Sequence, residues 1–321
     1  MKKVLASLLA LIILCAALAL PASAYSATVR DGDVMQFGDF NLVSGHVVFY
    51  PAALESEDGK WPVVVWANGT VCPPVLYTEL LEGIANNGYV VVASSNVMSA
   101  DGKDQCNSID YIFGLGNDPD SQFYNKIDTT RVAAAGHSQG GRSSVNAAQR
   151  DDRIGCVVSI AGSNVKGEAD GLKTPTFFIT GTADLVVLSS LWVKPAYKKA
   201  RGPAVYASIK GGIHTTSMIA PDYVQKYTVK WLDAVLNGDE DALAAFTVGG
   251  ELSRDKAWKD YTSKNLGSLS TGAVLSTGSV IVIAVIAGAA ILGTALLIVV
   301  NKAKKKAVAA EGDSDSDNTE E

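Results

Sequence analysis

The sequence predicts an α/β fold with a mostly parallel central sheet and helices on both of its faces. Three observations carry this expectation. Segments of β type and helix type alternate through the middle of the 321-residue chain, the pattern that builds parallel strands joined by crossover helices. The later β-type segments are continuous apolar runs, as strands covered on both faces must be. A Gly-x-Ser-x-Gly run follows one of these segments and opens a helix-type one, which places a tight strand-to-helix turn inside the pattern.

In chain order, residues 45–50 hold Val47-Val48-Phe49-Tyr50, a strand rich in β-branched and aromatic side chains. Residues 62–67 follow with Val63-Val64-Val65-Trp66. Residues 77–87 place Leu80, Leu81 and Ile84 at helical spacing. Residues 89–94 return to strand with Val90-Val91-Val92, and 131–135 form a short strand of small residues before the helix at 142–150. Residues 156–161 and 176–180 are strands, 189–200 a helix, 204–209 a strand and 221–236 the last helix. The connection from 161 to 176 is too short for an inserted lid. No large cap domain is expected, and the cleft should be open and shallow.

The turn itself is Gly136-His137-Ser138-Gln139-Gly140-Gly141. In this context it reads as a nucleophile elbow. Gly136 and Gly140 leave no side chain to collide with the flanking strand and helix, and the Ser138 hydroxyl is held above the sheet near the positive end of a helix. The chemistry implied is attack of a serine on an acyl group. A serine hydroxyl is a weak nucleophile at neutral pH, so it needs a base, and the base needs an orienting carboxylate. On the α/β-hydrolase fold these follow in the order Ser, then Asp or Glu, then His. The chain has three histidines, His46, His137 and His214, and only His214 lies downstream of the turn without adjoining it. Asp184 follows the strand at 176–180, at the edge where ligands meet open α/β sheets. Glu168 and Asp170 precede that strand, and Asp222 follows the base. An oxyanion formed in the reaction needs two backbone donors. The amide of Gln139 is one candidate. The loop Asn68-Gly69-Thr70 supplies the other, with Thr70 preferred and Gly69 next to it.

The ends are read separately from the fold. Residues 1–24 have the form of a secretory signal: Lys2 and Lys3, an apolar run from Val4 to Leu20, then Pro21 and Ala22-Ser23-Ala24. Cys15 inside the run follows Leu14, so no lipoprotein is expected. Residues 25–264 form the α/β domain, and 265–279 read as a linker rich in Gly, Ser and Thr. Residues 280–300 carry no charge and are long enough, at about 1.5 Å per residue, for a hydrocarbon core of about 30 Å. Lys302, Lys304, Lys305 and Lys306 follow. A single transmembrane helix with a cytoplasmic C-terminus and an extracytoplasmic domain is the expectation. Residues 301–321 are basic, then acidic.

The formal charge of −6 lacks the basic stripe that nucleic acid requires. No Cys and His spacing suggests zinc, and no glycine pattern suggests a nucleotide, so no cofactor is expected. Export permits disulfides. Cys72 and Cys106 belong to loops at one sheet edge, and a bridge between them is expected, whereas Cys156 reads as a small core residue.

With these residues placed, the chain resembles the cutinase-like polyester hydrolases and lipases of the dienelactone hydrolase type, in the α/β-hydrolase superfamily. Chlorophyllase-like esterases share much of the pattern. The resemblance covers roughly 45–238. It rests on Val47-Val48-Phe49-Tyr50-Pro51, Ala85-Asn86-Asn87-Gly88-Tyr89-Val90-Val91, Phe123-Tyr124-Asn125-Lys126-Ile127-Asp128-Thr129-Thr130-Arg131-Val132 and the serine turn. It implies Ser138 as nucleophile, Asp184 as acid, His214 as base, the amides of Thr70 and Gln139 as oxyanion donors, and a small or polymeric ester as substrate. The chain departs from the family where an aromatic residue usually stands at Thr70 and a tryptophan near Ser163, which removes support for aromatic polyesters in particular. Trp192, beyond the acid loop, is a candidate to compensate, although a core or helix-surface role is the preferred reading for it. The rival expectations are an acyltransferase or peptidase on the same triad, and a non-enzymatic surface binding protein.

Overall fold

Runs of valine, isoleucine and aromatic residues make the strands, and the places where those runs stop decide which loops carry chemistry. The computed structural model describes residues 45–269 and, as backbone, two strand segments before them, Thr28–Arg30 and Val34–Phe37. In chain order the strands are β1 (Thr28–Arg30), β2 (Val34–Phe37), β3 (His46–Pro51), β4 (Trp61–Ala67), β5 (Val90–Ser94), β6 (Ile127–His137), β7 (Ile154–Ile160), β8 (Thr176–Gly181), β9 (Ala204–Ile209) and β10 (Trp258–Lys264). They form one sheet in the order β1-β2-β3-β5-β4-β6-β7-β8-β9-β10. The helices of seven residues or more are α1 (Thr78–Asn86), α2 (Lys103–Asn117), α3 (Gln139–Arg150), α4 (Val193–Lys199) and α5 (Asp222–Leu232).

The six strands from β5 across to β9 run parallel. The outer junctions β1–β2, β2–β3, β3–β5 and β9–β10 are antiparallel. The sheet is therefore mixed: parallel through its six central strands and antiparallel at its outer junctions. Of the outer strands, β1, β2 and β10 lack the signal of the inner ones. In β10 the run WKDYTSK is mostly polar and partly exposed, and its register shifts between Lys259 and Thr262, so it has no apolar run to announce it.

Alternate side chains of each inner strand enter opposite cores, as a period of two requires. Val64 and Trp66 of β4 join Leu80, Leu81 and Ile84 of α1 and Val224, Tyr227 and Trp231 of α5 on one face. Val63 and Val65 join Ile109 and Ile112 of α2, Val145 of α3 and Val193 of α4 on the other. Each such side chain contributes about 1.5–3 kcal/mol on burial. Gln105 of α2 is buried in the second layer. Its Nε2 donates to the Val65 and Ala135 carbonyls and to Ser144 Oγ, which fastens that helix to β4, β6 and α3.

Among the described residues no helix is long and apolar enough to cross a membrane. The fold class is corrected accordingly to a mixed α/β sheet with helices on both faces and, among the described residues, no membrane-spanning helix. The span expected at 280–300, the signal at 1–24 and the tail at 301–321 lie outside the described residues. Between β7 and β8 the chain makes only turns, so no cap is inserted there. The C-terminal ends of β4, β6, β8 and β9 consequently carry the loops that build the site.

Candidate active site

Strand β6 ends at His137 and helix α3 begins at Gln139, which leaves Ser138 alone to reverse the chain. Its backbone lies at φ 59° and ψ −118°, a conformation that costs a non-glycine residue on the order of 1–3 kcal/mol. The flanking glycines are required by contact. A Cβ on Gly140 would lie 2.0 Å from the Ala67 carbonyl oxygen, and one on Gly136 would lie 2.5 Å from the Gly140 carbonyl. The Ser138 amide donates to the Ile160 carbonyl at 2.8 Å, and the Ser138 carbonyl accepts from Ser163 N at 3.2 Å.

His214 and Asp184 arrive on the loops after β9 and β8. The structure brings both to Ser138. His214 Nε2 lies 2.9 Å from Ser138 Oγ, and His214 Nδ1 lies 2.8 Å from Asp184 Oδ2. The other carboxylate oxygen, Oδ1, accepts the amides of Val186 and Val187 at 2.9 and 2.8 Å. A carboxylate oxygen only accepts, so Nδ1 carries the proton and Nε2 is left to receive one from Ser138. All three side chains are nearly buried. Of the competing acids, Glu168 is instead paired with Arg142 at 2.6 Å, and Asp170 is exposed.

The loop after β4 is held from below. Asn68 is fully buried; its Oδ1 accepts from Trp66 Nε1, and its Nδ2 donates to the Ser94 and Asn96 carbonyls. Gly69 N–H donates to Tyr77 Oη at 3.1 Å and is thereby occupied. Thr70 N–H has no acceptor among the described residues. Gln139 opens α3, where the first N–H groups lack intrahelical acceptors. The Thr70 hydroxyl donates to Gln139 Oε1 at 2.8 Å, which joins these two positions across the turn.

His137, adjoining the serine, is buried to 1% exposure. Its Nε2 lies 2.7 Å from the His214 carbonyl oxygen and its Nδ1 lies 2.9 Å from Tyr77 Oη. Burial, and then the charge of nearby His214, hold its pKa well below the ordinary histidine value, against the opposing effect of the bond to the His214 carbonyl. Neither Tyr77 nor these contacts of His137 was expected from the sequence. Sixty residues separate the two, and no local pattern pairs them.

Leu185 and Ile213, next to the acid and the base in the chain, are exposed and give the rim an apolar character. Trp192 is half-buried. It packs against the core beside α4 and lines a cavity of about 300 Å³ with Val165, Leu191 and Pro195. The expected Cys72–Cys106 bridge is corrected. Cys106 has a free thiol. Cys72 joins the core on the α1 and α5 face, whereas Cys106 packs on the α2 and α3 face, so the sheet separates them. Proximity to one sheet edge does not reveal which face a side chain enters. Among the described residues no cluster of His, Cys, Asp or Glu is arranged to hold a metal.

Comparison with known proteins gives one direction. A family model described as PETase, PET hydrolase-like, matches residues 18–264, well over half of the chain. Cutinase est2 of Thermobifida alba is 25% identical over 202 residues, which are 61% of this chain and 65% of the relative. Cutinase 2 of Thermobifida cellulosilytica is 24% identical, covering 61% of this chain and 74% of the relative. Bis(hydroxyethyl) terephthalate hydrolase of Streptomyces coelicolor is 23% identical, covering 61% and 63%. The match thus spans less than two thirds of the length of the first and last of these relatives.

Proposed function

Because the chain belongs to the PET hydrolase-like family, we propose that it is a carboxylic ester hydrolase in which Ser138 is the nucleophile, His214 the base and Asp184 the orienting acid. The observation that carries this reading is the 2.9 Å contact between Ser138 Oγ and His214 Nε2, with the far side of the imidazole bonded to Asp184. In the first step Ser138 Oγ bonds to the ester carbonyl carbon, and its proton passes to His214 Nε2. The negative oxygen of the tetrahedral adduct accepts the amides of Thr70 and Gln139. His214 then returns the proton to the departing alcohol as the carbon–oxygen bond breaks. Water repeats the sequence on the acyl-enzyme and releases the acid. Asp184 keeps Nδ1 protonated and stabilises the imidazolium at each stage.

The apolar rim at Leu185 and Ile213 favours esters with an apolar acyl part, and the names of the relatives, cutinase and bis(hydroxyethyl) terephthalate hydrolase, support an ester substrate. The leader at 1–24 directs the domain out of the cytoplasm. The test is hydrolysis of p-nitrophenyl esters of rising acyl length by the wild-type and Ser138→Ala proteins. Turnover that falls by several orders of magnitude in the variant supports the assignment. Unchanged turnover rejects it.

A further inference from the structure

Gly69 and His214 sit on loops that approach the serine from different strands, and a single buried chain of hydrogen bonds joins them. We propose that Tyr77 and His137 are positioning residues that lock the oxyanion loop to the loop carrying the base, an inference that rests on the ester-hydrolase reading of Ser138.

The direction of every bond in this chain follows from its atoms. A carbonyl oxygen only accepts, so His137 Nε2, 2.7 Å from the His214 carbonyl, carries a proton and donates. Burial keeps the ring neutral, so Nδ1 is unprotonated and accepts. Tyr77 Oη, 2.9 Å away, supplies the O–H. With its hydrogen committed, the tyrosine oxygen accepts the Gly69 N–H at 3.1 Å. The sequence of donors is closed, from the backbone of the oxyanion loop to the backbone of the base.

Three further observations show that the bridge sets positions and does more than fill space. Gly69 has no room for a side chain: a Cβ there would lie 2.9 Å from Tyr77 Oη, 3.1 Å from His137 Nδ1 and 3.5 Å from Ser138 Cβ. Occupying the Gly69 N–H leaves the following amide, that of Thr70, as the loop's available donor. The His137 and His214 rings lie 4.7 Å apart at 47°, so His137 also limits where the base can turn. Tyr77 in turn packs against Trp66, 5.0 Å between ring centroids. The Trp66 indole holds Asn68, the residue before Gly69. A displacement at either end of this bridge would move a reacting group, and displacements of about 1 Å cost up to about a hundredfold in rate.

The test compares Tyr77→Phe, His137→Leu and His137→Gln with the wild-type protein. Each is assayed on p-nitrophenyl butyrate with active sites counted by fluorophosphonate titration, beside Ser138→Ala. Tyr77→Phe and His137→Leu should lose about tenfold or more in kcat with KM within about twofold. His137→Gln, which keeps a donor for the His214 carbonyl, should recover most of the loss. A kcat unchanged in Tyr77→Phe, or equal losses in the leucine and glutamine variants, overturns the proposal; if His137→Leu does not fold, Tyr77→Phe decides. Activity retained in Ser138→Ala rejects the hydrolase reading instead. Imidazole ¹⁵N spectra, with only three histidines to resolve, test the bridge without turnover. A neutral, Nε2-protonated His137 at pH 7 is expected, and an Nδ1-protonated ring contradicts it.

Discussion

The hydroxyl of Thr70 donates to the side-chain oxygen of Gln139 at 2.8 Å, across 69 residues of sequence. The two residues whose amides are assigned to the oxyanion are thus tied together by their side chains. Thr70→Val keeps the shape and the amide and removes the contact. One hydrogen bond of this kind is worth about 1 kcal/mol, so kcat should fall about fivefold. Steady-state kinetics on a small ester checks it, and an unaltered kcat would mean that the pair does not hold the donors.

Strain at the serine separates activity from stability. Ser138 sits at φ 59°, where glycine is at ease and alanine is not. Ser138→Gly and Ser138→Ala should be equally inactive, but the glycine protein should be more stable by about 1 kcal/mol. Urea denaturation of the two variants measures the difference. Equal midpoints would show that the turn stores no strain.

Buried neutral histidine gives stability a sign with pH. In the unfolded chain His137 takes up a proton near its ordinary value of about 6.5, whereas in the fold burial holds its pKa well below that. Between the two values the unfolded state binds more protons. The contribution is therefore complete above about pH 6.5 and is lost as pH falls toward the folded pKa. His46, stacked on Tyr111 and lowered by burial against the opposing charge of Asp104, acts in the same direction. Urea midpoints should fall between pH 7 and pH 5, and His137→Gln should flatten that slope.

The thiols supply a check on the corrected pairing. With Cys106 free and the sheet between it and Cys72, dithiothreitol should leave the Tm unchanged. A bridge closing a loop of this size would be worth about 3–4 kcal/mol, and its reduction would lower the Tm by several degrees.

The parallel middle of the sheet was legible because β4 to β9 are buried on both faces and so spell out apolar runs. The outer strands β1, β2 and β10 were not: β1 and β2 are short, and β10 is mostly polar and interrupts its register. Helix α2 was missed for a related reason. Gly114, Gly116 and several polar residues obscure its period, and it is held by Gln105 reaching the strand carbonyls, a contact without sequence signature. Helix α4 is shorter than the stretch 189–200 read as helical, because residues 188–192 turn before it starts. At the site, the order of Ser138, Asp184 and His214 followed from a local turn and a scarcity of histidines. Tyr77, His137 and the Thr70–Gln139 contact depend on groups brought together only by folding.

The most direct test of the central claim is covalent labelling by a fluorophosphonate, located by peptide mass spectrometry. An activated serine predicts a single adduct on the peptide carrying Ser138, formed rapidly in the wild-type protein and nearly abolished in His214→Ala. Labelling elsewhere, or a Ser138 adduct that forms as fast without the histidine, would contradict it.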